Sequence, residues 1–127
     1  MPKRILVVDD EKAIQTLLSE LLAHEGYGVT CVASGAEVDA AIKEDIPDLV
    51  ILDVSLPGED GIVICARLKN NMATMNVPVI LMTAKYDSVD DARAGLNAGA
   101  DEYVIKPFLN SVMIGNVKHL LGEPHQR

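Results

Sequence analysis

Tryptophan is absent from this chain, phenylalanine occurs once and tyrosine three times in 127 residues. No glycine-rich phosphate loop is present either. Gly26-Tyr27-Gly28 is not a dinucleotide fingerprint, because it follows a helical pattern and precedes a strand. Together these absences argue against a nucleotide-binding flavodoxin relative. Basic residues are also scarce: 11 Lys and Arg stand against 19 Asp and Glu, a formal net charge of −8. A general grip on nucleic acid needs a basic face that displaces counterions, so direct nucleic-acid binding is not expected. The acidic balance favours a soluble protein that meets basic patches or holds a cation. There are two cysteines, Cys31 and Cys65, with no CxxC or Cys/His spacing, and they read as small core residues in a reducing compartment. Long apolar runs are missing as well. After Met1-Pro2-Lys3-Arg4 the first run lasts only from Ile5 to Val8, too short for a signal peptide, and nothing approaches the ~20 residues of a membrane span. A cytoplasmic location without membrane contact is the expectation.

What is present is an alternation of short buried-strand runs and amphipathic helices. Leu49-Val50-Ile51-Leu52, bounded by Pro47-Asp48 and Leu56-Pro57-Gly58, reads as a strand covered on both faces and ending at Asp53. Ile5 to Val8 is a second such run, ended by Asp9-Asp10-Glu11. Ile14, Leu17, Leu18, Leu21 and Leu22 then mark one helix face, with Gly26 as its left-handed cap. Tyr27 to Val32 alternates like a strand, and Ser34-Gly35-Ala36-Glu37 is a capping box opening a helix to about Glu44. Gly61, Ile64, Cys65 and Leu68 mark a third helix face. Asn70 to Asn76 is a polar connector and Val77 to Met82 a buried strand. A fourth helix, roughly Ser88 to Asn97, has a thin apolar stripe of Val89, Ala92 and Leu96. Low burial makes it and its preceding loop the expected mobile parts. Tyr103-Val104-Ile105 is the fifth strand and Leu109 to Leu121 the fifth helix, weakened by Gly115. With no repeat, low-complexity segment or linker, residues 1–127 read as one domain with a short tail at 122–127.

Five apolar strands alternating with five helices predict an α/β fold, a doubly wound parallel sheet of order 2-1-3-4-5. In that order the crevice opens between the carboxyl ends of strands 1 and 3. Asp9 and Asp10 leave strand 1 there, Asp53 ends strand 3, Thr83 ends strand 4 and Lys106 follows strand 5. Three carboxylates in one crevice repel unless a cation compensates, and oxygen-only donors suit a hard ion such as Mg²⁺ or Mn²⁺. A metal ion and an ammonium flanking a carboxylate are what in-line phosphoryl transfer to that carboxylate requires, with Asp53 as the nucleophile. Thr83 and the backbone N–H of Ala84 are placed to hydrogen-bond a phosphoryl oxygen. Taken singly, each residue has an ordinary structural reading: a helix N-cap for the Asp pair, a turn residue for Asp53, a surface lysine, a strand-end hydroxyl. Their joint placement on one sheet edge decides for chemistry.

Val7-Val8-Asp9-Asp10-Glu11, Leu52-Asp53-Val54-Ser55-Leu56-Pro57-Gly58-Glu59-Asp60-Gly61, Met82-Thr83-Ala84 and Gly99-Ala100-Asp101-Glu102-Tyr103-Val104-Ile105-Lys106-Pro107-Phe108 resemble, in order and over essentially the whole chain, the CheY-like receiver domain of two-component response regulators. The resemblance implies that Asp53 accepts a phosphoryl group from the phosphohistidine of a sensor histidine kinase or phosphotransfer protein. It implies Asp10 as a direct Mg²⁺ ligand, Asp9 acting largely through water, Asp53 itself, and the Ser55 carbonyl as the remaining protein ligand. Thr83 and Tyr103 resemble the switch pair, Lys106 the residue that pairs with phosphoryl oxygens, and Lys106–Pro107 is expected to be cis. Such a protein is not a conventional enzyme: it catalyses its own phosphorylation and slow aspartyl-phosphate hydrolysis. Its output is a changed surface of helix 4, strand 5 and helix 5 that controls a partner or an effector domain missing from this chain, with a phosphorylation-dependent dimer as one form.

Two features depart from the family pattern. The segment from Thr83 to Lys106 is one residue longer than the commonest form, placed at Lys85-Tyr86-Asp87. Helices 4 and 5 carry few basic residues, chiefly Arg93 and Lys118, so the charged dimer face of many DNA-binding relatives is incomplete. Ile114 and Leu121 widen the apolar face of helix 5, either as core edge or as a docking surface. Two rivals remain. An aspartyl-phosphate phosphohydrolase of the haloacid-dehalogenase type wants an acid two residues after the nucleophile, where this chain has Ser55. A phosphate-independent receiver-like module would not need the complete acid, Thr and Lys set.

Overall fold

The computed structural model describes residues 2–84 and 89–124. Strands and helices alternate along them: β1 (Arg4–Val8), α1 (Lys12–His24), β2 (Gly28–Val32), α2 (Gly35–Glu44), β3 (Leu49–Asp53), α3 (Gly61–Lys69), β4 (Val79–Thr83), α4 (Val89–Asn97), β5 (Glu102–Ile105) and α5 (Asn110–Leu120). All strand pairs are parallel and the order is β2-β1-β3-β4-β5, as the alternation predicts. The three inner strands are apolar because helices cover both faces. β3 and β4 are buried along their whole length, whereas the edge strand β2 has no fully buried residue.

Successive residues of each inner strand feed opposite cores. Ile5, Val7, Leu49, Ile51, Ile80 and Met82 pack under Leu18 and Leu22 of α1 and Met113 and Val117 of α5. Leu6, Val8, Val50, Leu52, Val79 and Leu81 pack under Val38 of α2 and Ile64, Cys65 and Leu68 of α3. Ser34 and Glu37 cap α2 in a shifted form of the box: Ser34 Oγ accepts the Glu37 N–H at 3.3 Å, while Glu37 Oε2 accepts the N–H of Ala33, one residue before the N-cap, at 3.0 Å. Gly26 takes φ +95 after α1, a left-handed position open to glycine.

Several details differ from the pattern reading. β2 begins at Gly28, β4 runs from Val79 to Thr83, and β5 includes Glu102. Leu17 is half out of the core at 39% exposure, because Leu18 and Leu22 alone fill the centre of the α1 contact. Leu96 is 61% exposed rather than part of an inward stripe. Among the described side-chain positions of α4 the buried one is Gly95, where an added Cβ would meet Leu81 Cδ1 at 2.9 Å and the Tyr103 ring at 3.4 Å. A large side chain has no room at that contact. Cys65 is buried, Cys31 half-buried, and both are free thiols. Ile114 and Leu121 are half-buried, Leu121 packing on the α1/α5 core. The Lys85-Tyr86-Asp87 insertion, the helix start at Ser88, the Val89 and Ala92 side chains and the tail beyond Pro124 lie outside the described residues.

Candidate functional site

Register brings the chemistry together. Val8 pairs with Leu52, so one step further along both strands Asp9 and Asp53 stand side by side at the carboxyl edge. Asp53 pairs with Met82, so Thr83 lies one residue beyond it on β4. Thr83 pairs with Ile105, and the Lys106 N–H donates to the Thr83 carbonyl at 2.7 Å, which carries Lys106 to the same edge. Asp10 follows Asp9 out of β1. One carboxylate oxygen from each of Asp9, Asp10 and Asp53 lies within 4.8 Å of the others.

Asp9 is fully buried and Asp53 is 4% exposed, while Asp10 is exposed. Lys106 Nζ lies 2.9 Å from Asp9 Oδ2 and 3.2 Å from Asp53 Oδ2. The other Asp53 oxygen accepts the Ser55 N–H at 3.1 Å. Burial, reinforced by the neighbouring Asp9 charge, holds the Asp53 carboxyl above the usual carboxylate range, against the pull of the Ser55 N–H and of Lys106. Burial acts to lower the Lys106 ammonium, but its hydrogen bond to Asp9 and the charges of Asp53 and Asp9 leave it above the ordinary lysine value. One ammonium thus serves more negative charge than it neutralises. Three oxygen donors with unbalanced charge, two buried and one open to solvent, fit a hard divalent cation such as Mg²⁺.

The remaining predicted residues are arranged around this cluster. Thr83 is buried at the end of β4, and Ala84 is exposed beside it. Tyr103 is half-buried on β5, its ring against Gly95 and its hydroxyl oxygen buried with no hydrogen-bond partner among the described residues. Ser55 is exposed and touches the cluster through its backbone. The Lys106–Pro107 peptide bond is cis.

Three further residues shape the site, and the pattern reading gave them no role there. Glu11 Oε1 lies 3.3 Å from Lys106 Nζ. Gln15 Nε2 donates to the Asp9 carbonyl at 2.6 Å, bracing the end of β1 from α1. Gly61 sits so close to β3 that a Cβ would overlap the Asp53 carbonyl oxygen. The Asp pair does not cap α1: Glu11 is its N-cap without a side-chain cap bond, and Asp9 Oδ1 accepts the Glu11 N–H at 2.8 Å.

The family model of the response regulator receiver domain matches residues 5–118. The chain belongs to that family. The phosphate regulon transcriptional regulatory protein PhoB of Rhizobium meliloti (strain 1021) is 40% identical over 121 residues, 95% of this chain and 53% of that protein. The chain therefore spans about half the length of this curated relative. A structure assigned to a response regulator from Chloroflexus aurantiacus J-10-fl is similar with TM-score 0.91 at 35% identity, covering 97% of this chain and 100% of that one. The receiver domain of a signal transduction histidine kinase from Syntrophus aciditrophicus gives TM-score 0.88 at 33% identity, covering 94% and 90%. Receiver domains bind Mg²⁺ at an aspartate cluster, and this one has such a cluster in Asp9, Asp10 and Asp53. Among the described residues no helix is long and apolar enough to cross a membrane.

Proposed function

We propose that this receiver domain is a phosphorylation-activated switch in which Asp53 takes a phosphoryl group from the phosphohistidine of a sensor kinase or phosphotransfer protein in the cytoplasm. The observation that carries the reading is the meeting of three carboxylates from two strand ends with one nearby ammonium. An Asp53 oxygen attacks phosphorus, the P–N bond to the donor imidazole breaks with its electron pair leaving on nitrogen, and an acyl phosphate forms. Asp9, Asp10, Asp53 and the Ser55 carbonyl would hold Mg²⁺, which supplies neutralisation of the phosphoryl oxygens when bound. Lys106 exchanges part of its contact with Asp53 for a phosphoryl oxygen, and Thr83 with the Ala84 N–H hydrogen-bonds another. Burial of Asp9 and Asp53 keeps water from diluting these interactions.

The output belongs to the α4, β5 and α5 face. Turning of the Thr83 hydroxyl toward the phosphoryl group opens space for the Tyr103 ring, which lies half-buried on β5 beside Gly95. Phosphorylation then biases a pre-existing equilibrium between two surfaces, read by a partner, an effector domain or a second copy. The chain matches about half of a transcriptional regulator, and this supports an effector domain as the reader.

Incubation with a small phosphodonor and Mg²⁺ tests the function. One acid-stable, base-labile phosphoryl group per chain is expected, lost with a chelator and in Asp53→Asn. Equal labelling of that variant would refute it, and rapid turnover of phosphomonoesters would favour a phosphohydrolase.

A further inference from the structure

Residues 54–60 form the loop that carries Ser55, whose N–H holds one oxygen of Asp53. The loop's ends are pinned by backbone bonds, Val54 N–H to the Met82 carbonyl and Gly61 N–H to the Val54 carbonyl, both 2.9 Å. Between these ends Leu56 packs on the core beneath α2 and α3, Asp60 Oδ1 accepts the Ile62 N–H at 2.8 Å, and Glu59 makes the loop's charged contact. Arg67 of α3 grips both Glu59 oxygens, Nη1 to Oε2 at 2.6 Å and Nη2 to Oε1 at 3.2 Å. Arg67 Nε also lies 3.4 Å from Asp39 Oδ1 of α2, an attraction without hydrogen-bond alignment. The Glu59 carboxylate rests against Gly35, the first residue of α2, where a Cβ would overlap Oε1. That is the helix end that favours negative charge.

Glu59, Arg67, Asp39 and Gly35 take no part in the proposed chemistry. An exposed ion pair contributes little to global stability, but a two-pronged guanidinium–carboxylate pair fixes orientation. We propose that Glu59, clamped by Arg67 and by the amino end of α2, is a positioning residue that sets the Ser55 backbone against Asp53. The role rests on the phosphoacceptor reading and explains why a polar side chain in a solvent-facing loop is tied to two helices at once.

The test uses Glu59→Gln and Arg67→Met singly and together, with Arg67→Lys retaining the charge but not the fork. Without metal, the Ser55 amide is expected to exchange about tenfold faster in either single variant while the thermal midpoint barely moves. Mg²⁺ affinity and the labelling rate at saturating Mg²⁺ each fall roughly threefold to tenfold, since misplacement at a reacting centre is amplified in rate. The double variant is no worse than the worse single one, as expected of one unit, and Arg67→Lys falls between. Unchanged Ser55 exchange and Mg²⁺ affinity in the single variants, additive losses in the double, or losses that simply follow the thermal midpoint overturn the role. A wild-type chain that takes up no phosphoryl group overturns the phosphoacceptor reading, whereas a labelled wild type with unaltered variants overturns the positioning role alone.

Discussion

Removing Lys106 takes away the ammonium that pairs with both buried carboxylates, Asp9 and Asp53. The lysine is 12% exposed, against 0% and 5% for the side chains of Asp9 and Asp53. Breaking such a set by deleting one partner costs about 3 kcal/mol or more, because charge remains buried and unpaired. Lys106→Met is therefore expected to lose about 3 kcal/mol in urea unfolding with chelator, and Mg²⁺ should narrow the gap. Cys65 gives a test away from the site. Burial, with a smaller push from Asp101 and against the pull of Lys69, lifts its thiol to about 11. A raised folded pKa means stability that is whole below the unfolded value, about 8.5, and lost as pH rises through about 11. Alkaline titration of the unfolding midpoint should show that loss, and Cys65→Ala should remove it. The acids of the site were legible in the sequence because an apolar run that ends in Asp states where the side chain emerges. Glu11 and Gln15 were not, since a polar residue early in a helix reads the same whether it braces a strand end or faces water.

At the scale of elements, seating matters more than propensity. The amino end of α3 lies directly on the end of β3, and only glycine fits at 61: an added Cβ would sit 2.8 Å from Val54 Cα as well as on the Asp53 carbonyl. Gly61→Ala is expected to cost about 1–3 kcal/mol in thermal unfolding and to slow labelling, because the strand end must shift to make room. Ser34→Ala removes the side-chain cap of α2 and should cost about 1 kcal/mol without altering labelling. Helix and strand order was readable from periodicity and caps. The role of Gly61 was hidden because a glycine inside a helical pattern looks like small core filler. Leu96 was misassigned for a related reason: a thin stripe gives two defensible helix faces, and the contact with Tyr103 selects the one bearing Gly95.

Over the whole molecule, two cores clamp a fully parallel sheet, and the site lies at its carboxyl edge, where the order turns between β1 and β3. The topology was legible because right-handed crossovers leave few ways to bury strands this apolar. The output face was less so. Leu96, Ile105, Leu109 and Val112 are 61%, 42%, 71% and 46% exposed on α4, β5 and around the start of α5, and apolar pattern alone does not tell a surface from a core edge. If that face is read by a second copy, phosphorylation should raise the dimer fraction in sedimentation, and Leu109→Asp should lower it with labelling intact. The proposed switch depends on a covalent event at one carboxylate. The most direct measurement is borohydride reduction after treatment with a small phosphodonor and Mg²⁺, followed by peptide mass analysis, since an acyl phosphate is reduced to the alcohol. Homoserine at position 53, absent when Mg²⁺ is chelated, is the predicted result. Homoserine at position 9 or 10, or an unmodified position 53 in a chain that has taken up phosphate, would contradict it.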